Sequence, residues 1–236
     1  PAQYNLGVVS EQGIGVPQDD AEAARWYRLA AEQGHAEAQH NLGVLYGSGR
    51  GVAQDDAEAV RWYRLAADQG YAPAQHNLGV LYDTGRGVLQ DDAEMARWYR
   101  LAADQGYHLA QFNLGRMYAT GRGVPQDDAE AMRWYRLAAD QHGDTRAQFN
   151  LGVMYESGRG VPQDNAEAAR WYRLAAEQGN TGAQSNLGRM YATGRGVPVD
   201  DAEAVRWYRL AAEQGHAVAQ FSLGVLYGAG QGVPQD

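Results

Sequence analysis

Apolar and polar positions along this chain follow a helical rhythm that changes register twice in every stretch of about 36 residues. The segment from Ala36 to Tyr71 reads AEAQHNLGVLYGSGRGVAQDDAEAVRWYRLAADQGY. In its first part Ala38, Leu42, Leu45 and Tyr46 share one helical face, which predicts a helix, here helix A. Gly43 follows Leu42, and its missing side chain allows a second helix to come close. Gly47, Gly49 and Gly51 then mark a turn with positive φ. A second helix, helix B, is predicted to start at Asp55. Glu58 stands three residues on, the spacing of a capping box, and acids there also suit the helix dipole. Ala59, Trp62, Tyr63, Ala66 and Ala67 spread over an arc so wide that helix B must be covered on two sides, leaving Arg61, Arg64 and Asp68 to face water. Gly70 is placed to end it.

The tryptophans show that this unit is repeated. They stand at Trp26, Trp62, Trp98, Trp134, Trp171 and Trp207, always 36 residues apart except for one step of 37. The longer step carries an insertion between Gln141 and Arg146. Asp–x–x–Glu recurs as Asp19/Glu22, Asp91/Glu94, Asp127/Glu130, Asp164/Glu167 and Asp200/Glu203. Units are expected at 1–35, 36–71, 72–107, 108–144, 145–180 and 181–216, with a partial one at 217–236, as a single domain without a linker. One such hairpin cannot offset an ordering cost of about 1–2 kcal/mol per residue, so stability must come from stacking on neighbours. The fold class expected is all-α, a superhelical solenoid of about six and a half helix–turn–helix repeats.

The recurring residues Ala38–Gln39, Leu42–Gly43, Tyr46, Gly49, Gly51–Val52, Asp55, Ala59, Trp62–Tyr63, Ala66–Ala67 and Gly70 resemble the Sel-one-like repeat (SLR) family, relatives of the tetratricopeptide repeats. The resemblance covers nearly the whole chain. It implies a right-handed α/α superhelix with A helices lining the concave face, and non-enzymatic adaptor or scaffold roles, often bacterial. Departures are few. Ser10 replaces the helix A Tyr of the first unit and Ile14 its turn Arg. A helix B position often basic in the family is Leu in all six copies: Leu29, Leu65, Leu101, Leu137, Leu174 and Leu210. The units are alike enough for recent duplication or consensus design to account for them.

Composition narrows the chemistry. The chain has no cysteine, which removes disulfides, thiol catalysis and Cys-ligated metal centres. All 20 basic residues are Arg, which excludes Schiff-base chemistry and a Gly–Lys phosphate loop. A net charge of −9 argues against nucleic acid and anionic membrane as partners. No apolar run reaches the ~18 residues of a membrane span and no signal peptide is visible. Because Pro1 rather than Met comes first, a targeting segment could have preceded it; the compartment is left open between cytoplasm and periplasm or exterior.

Residues that depart from the template are the candidates for recognition. Two residues before the helix A Leu runs a column of Tyr4, His40, His76, Phe112, Phe149, Ser185 and Phe221, expected on an exposed face. Arg116 and Arg189, the two helix A arginines in a column of valines, fall four residues after Phe112 and Ser185. Beside them lie Asn41, Asn77, Asn113, Asn150 and Asn186. In one reading the rings grip apolar side chains of a peptide, the amides pair with its backbone, and the arginines take a carboxylate. In the other, the rings pack between adjacent A helices, the amides bond neighbouring repeats and the arginines are duplicated baggage. His40 and His76 sit in successive units roughly 10 Å apart, too far to share an ion, and there is no H-E-x-x-H, so no metal is expected. The glycine-rich turn follows a helix, not a strand, so no nucleotide cofactor is expected either. The function expected is a non-enzymatic adaptor that binds a protein or peptide on its helix A surface. The alternative is a structural spacer that self-associates end to end, suggested by a seventh unit stopping at Asp236, the cap of a helix B.

Overall fold

A computed structural model of the protein describes residues 1–232. Asp236, read above as a helix cap, lies outside the described residues. Among the described residues there are thirteen helices and no strands. The chain forms two compact units. The first, Pro1–Gln126, contains α1 (Ala2–Gln12), α2 (Asp20–Ala31), α3 (Ala36–Ser48), α4 (Asp56–Asp68), α5 (Ala72–Thr84), α6 (Asp92–Asp104) and α7 (His108–Thr120). The second, Asp127–Asp236, contains α8 (Asp128–His142), α9 (Thr145–Ser157), α10 (Asn165–Glu177), α11 (Thr181–Thr193), α12 (Asp201–Glu213) and α13 (Ala217–Gly228). Odd-numbered helices are helix A and even-numbered ones helix B. Within each unit the hairpins stack in chain order as a helical repeat solenoid.

The predicted helix starts are made by the predicted residues. Asp55 accepts the amides of Ala57 and Glu58 at 2.9 and 3.0 Å, and its equivalents Asp19, Asp91, Asp127 and Asp164 each accept the same two amides. The second half of the capping box does not form. Glu58 turns along its own helix instead, taking the Trp62 indole N–H at 3.1 Å and pairing with Arg61 at 3.1 Å. The Asp55 N–H already donates to the Tyr46 carbonyl at 3.0 Å, so the cap backbone has no donor left for the glutamate.

Each core cluster draws on two repeats. Trp62 of α4 is buried with Ala23, Tyr27 and Ala30 of α2 and with Ala38, Leu42 and Leu45 of α3. Trp98 of α6 likewise joins Ala59, Tyr63 and Ala66 of α4 and Ala74, Leu78 and Leu81 of α5, and Trp207 of α12 joins α10 and α11. The indole of one repeat thus closes a core shared by its own helix A and helix B of the repeat before it, so neighbours stabilise one another. The close approach predicted at Gly43 is filled by the ring of Tyr63: a β-carbon on Gly43 would stand 2.8 Å from it. At Gly87, with φ +68°, a β-carbon would lie 2.3 Å from the carbonyl oxygen of Asp56 in the preceding repeat. That turn is where two repeats meet backbone to backbone.

Polar staples reinforce the stack. Gln69 donates to Gln39 at 2.7 Å and Gln105 to Gln75 at 2.7 Å, each thirty residues apart. Gln39 in turn donates to the carbonyl of Ala31 at 3.0 Å, which satisfies a buried side chain.

Candidate functional site

Where successive A helices run side by side, they leave open grooves. Between α3 and α5 one such groove, of about 290 Å³, is lined by Val44, Ser48, Tyr63, Asn77, Val80 and Arg86 among others. Each lining residue has a local cause. Val44 and Val80 belong to the column of valines on the outer side of helix A. Tyr63 comes through from helix B because Gly43 leaves it room. Arg86 is the turn residue whose guanidinium makes two hydrogen bonds to Asp56, at 3.1 and 2.6 Å, and a third to the carbonyl of Gly47 at 3.0 Å. The groove therefore offers apolar walls, a phenol, an amide and a guanidinium within one repeat step. Burial pushes the Tyr63 hydroxyl up to about 12, so it is a neutral donor and acceptor at physiological pH.

The ring column is only partly where the sequence suggested. Tyr4 is half-buried and stacks on His35 with ring centres 4.7 Å apart. His40 packs against Tyr63 at 5.6 Å and Tyr71 at 5.4 Å. His76 is 8% exposed and packs against Tyr99 at 5.5 Å and Tyr107 at 5.3 Å. Phe112 and Phe149 are half-buried, the latter 5.9 Å from Tyr172, and Ser185 is buried. Phe221, at 74% exposed, is the member on an open surface. The expectation of an exposed ladder is thereby corrected. The column faces rings of its own repeat, the helix B Tyr and the residue that closes the unit, rather than solvent.

The asparagines are engaged by the same junctions. Asn77 donates from Nδ2 to His40 Nε2 at 3.0 Å, and Asn113 to His76 Nε2 at 3.2 Å. His40 Nε2 then accepts, so Nδ1 carries the proton and donates to Asn41 Oδ1 at 3.1 Å. Asn41 also lies beside the Tyr27 hydroxyl, and Asn186 beside that of Tyr172. Asn150 is half-buried in α9.

This chain of bonds fixes His40 as neutral. Burial pushes its pKa below the ordinary histidine value, against a smaller opposing effect from the Asn41 bond. The unfolded chain takes up a proton as pH falls below about 6.5 that the folded chain refuses, so this contribution to stability is full above that pH and declines below it. His40→Phe, the residue that Phe112 supplies two column positions on, is expected to flatten the decline between about pH 7 and 5. It should also cost about 1 kcal/mol at neutral pH through the orphaned Asn77 amide. Urea denaturation across that range, compared with the unsubstituted protein, checks both.

Arg116 and Arg189 are not unattached cations. Arg116 lies 3.4 Å from Asp83, and Arg189 donates to Glu156 at 2.6 Å. Asp83 also pairs with the turn residue Arg122, and Glu156 also accepts the Tyr172 hydroxyl at 2.9 Å. Burial works to raise the Glu156 pKa, but the bonds from Arg189 and Tyr172 outweigh it and hold the carboxyl below its usual value. Each extra Arg follows a repeat whose helix A has an acid just after its Tyr, Tyr82–Asp83 and Tyr155–Glu156; in the first repeat Glu11 holds that position and pairs with the turn Arg50, and the others have Gly47, Ala119, Ala192 or Gly228. That paired departure was legible in the sequence.

The turn arginines form the regular part of the site. Arg50 reaches Asp20 at 2.7 Å, Arg122 reaches Asp92 at 2.7 Å, and Arg159 reaches Asp128 at 2.6 Å, each in the preceding repeat's helix B. Among the described residues no three His, Asp or Glu side chains converge as a metal site. No helix among them is long and apolar enough to cross a membrane.

A stack of near-identical helical hairpins held by indoles, glutamines and Arg–Asp bridges defines a helical repeat protein. The Sel1 repeat model matches residues 1–35, 36–71, 72–107, 108–142, 145–180, 181–216 and 217–236, and the chain belongs to that family. It is similar to a protective antigen of uropathogenic Escherichia coli that displays an SLR fold, with 43% identity and a TM-score of 0.93 over 96% of this chain and 48% of that one. It is also similar to a Sel1 repeat protein of Oxalobacter formigenes, with 42% identity and a TM-score of 0.83 over 95% of this chain and 64% of that one. The chain thus spans about half the length of the first and under two thirds of the second. An immunity protein of Pseudomonas aeruginosa, at 22% identity and a TM-score of 0.53, shares the fold. A comparison with curated proteins finds no match. Sel1 repeat proteins are generally protein-interaction scaffolds, typically non-enzymatic.

Proposed function

We propose that this chain is a non-enzymatic adaptor whose helix A face binds a segment of a protein partner in the grooves between successive A helices. The observation that carries this reading is the groove between α3 and α5, where Val44 and Val80 form apolar walls beside the Tyr63 hydroxyl, the Asn77 amide and Arg86. Apolar walls with a few fixed polar groups suit side chains and a peptide backbone together. The partner gains from surface already ordered by the stack, so little freedom is lost on the adaptor's side.

Calorimetric titration with a peptide library tests this, using the unsubstituted protein and Val80→Glu. A buried-side charge on the groove wall is expected to remove binding of a library hit while leaving the helical circular dichroism unchanged. A hit that binds both proteins equally would overturn the assignment to this face. Exposed Val218, Phe221 and Val225 on α13 favour a second reading, association of copies through that face. Sedimentation in the same buffer separates the two: a monomer that binds peptide supports the adaptor, whereas concentration-dependent assembly without peptide binding supports the second reading.

A further inference from the structure

One turn arginine of the Arg–Asp series lacks its aspartate. In the first unit and at the start of the second, each turn Arg makes two or more side-chain hydrogen bonds or ion pairs that include the first acid of the preceding helix B: Asp20, Asp56, Asp92 and Asp128. In α10 that first residue is Asn165. Its partner by position, Arg195, makes no side-chain hydrogen bond among the described residues. The carboxylate nearest it is Glu156, at 3.4 Å, already committed to Arg189 at 2.6 Å and to the Tyr172 hydroxyl at 2.9 Å. The Oδ1 atom of Asn165 is buried without a partner, so the amide does not close the bridge from its own side.

The counterpart in the first unit shows what is missing. There Arg116 and Arg122 face Asp83 and Asp92, two cations against two anions. In the second unit Arg189 and Arg195 face Glu156 alone, which leaves one positive charge in a chain whose net charge is −9. Both guanidiniums remain accessible, Arg189 at 36% and Arg195 at 43% of the side chain. We propose that Arg195 and Arg189, beside Asn165, form a carboxylate-binding subsite in which an acidic group of the partner takes the place that an aspartate holds in the other repeats. A planar guanidinium with free parallel N–H groups is matched to a carboxylate in geometry as well as charge. The subsite lies at the turn end of the α9–α11 step, the position equivalent to Arg86 in the groove between α3 and α5. It rests on the reading of the helix A face as the binding surface and names the chemistry that face selects.

The group could be a chain terminus or an Asp or Glu side chain. Three small probes separate these sources: acetyl-Gly-Gly with a free terminus, acetyl-Gly-Glu-Gly-amide, and neutral acetyl-Gly-Gln-Gly-amide. The readout is the arginine Nε–Hε cross-peaks of the full ¹⁵N-labelled chain. Arg195 and Arg189 signals are expected to shift with one or both carboxylate probes and not with the neutral one, while Arg86 stays still. Asn165→Asp supplies the missing carboxylate from within and should weaken the response by roughly tenfold or more in affinity. Asp92→Asn removes the equivalent carboxylate in the first unit and should make Arg122 respond to the same probes. Arg195 and Arg189 signals indifferent to every probe would overturn the inference, as would Asn165→Asp binding like the unsubstituted chain. Library peptides that still need Val80 while Arg195 stays silent would sink this subsite alone; peptides indifferent to Val80 would sink the helix A reading itself.

Discussion

Trp98→Ala is expected to cost about 3–5 kcal/mol, the usual range for emptying a buried aromatic site. Trp98 is 3% exposed and seals the cluster formed by Ala59, Tyr63 and Ala66 of the repeat before it with Leu78 and Leu81 of its own. Its indole N–H, bonded to Glu94 at 3.0 Å, and the Arg97 guanidinium 4.8 Å from the ring centre are lost as partners in the same step. Because a repeat stack is coupled through nearest-neighbour interfaces, the loss falls on the α4–α6 junction more than on either hairpin. Calorimetry should therefore show a lower and broader transition. An unchanged midpoint would mean that the ring is not the lid that couples these repeats.

Gly87→Ala should have an effect of similar size for a different reason. The residue has φ +68°, which strains an L side chain by about 1–3 kcal/mol, and the new β-carbon would meet the Asp56 carbonyl oxygen at 2.3 Å. That oxygen is backbone and cannot rotate away, so the turn must lift off the preceding helix and weaken the Arg86–Asp56 bridge with it. Gly106→Ala provides the control. Its φ of +84° carries the same strain, but no atom lies within 4 Å of the added carbon. The difference between the two variants in urea midpoint measures the contact between repeats alone. Equal losses would show that backbone conformation, not stacking, explains the glycine.

Much of this fold is legible without coordinates because its causes are local. The Asp caps, the turn glycines, the two-sided apolar arc of helix B and the Trp period all follow from residues close in sequence. The function of Gly43 is visible as a gap, although the ring that fills it is not. Only half of the capping box forms, since the Asp55 N–H is taken by the Tyr46 carbonyl of helix A. The candidate site was less legible. Helical periodicity puts His76 on an exposed face, yet it is buried, and no pattern within one helix joins Arg116 and Arg189 to Asp83 and Glu156. Aligning the departures in successive repeats, rather than within one column, would have joined those pairs.

The amino-acid sequence by itself determined the hairpin, its length, its ends and the two faces that each helix B must bury, because helical periodicity and capping act over a few residues. Only the tertiary structure decided which residues thirty or more positions apart meet: Arg86 with Asp56, Asn77 with His40, and Arg195 with no aspartate among the described residues. Those meetings depend on the angle and distance at which one hairpin lies on the next, and that geometry is set by close packing across the interface, not by the period along the chain.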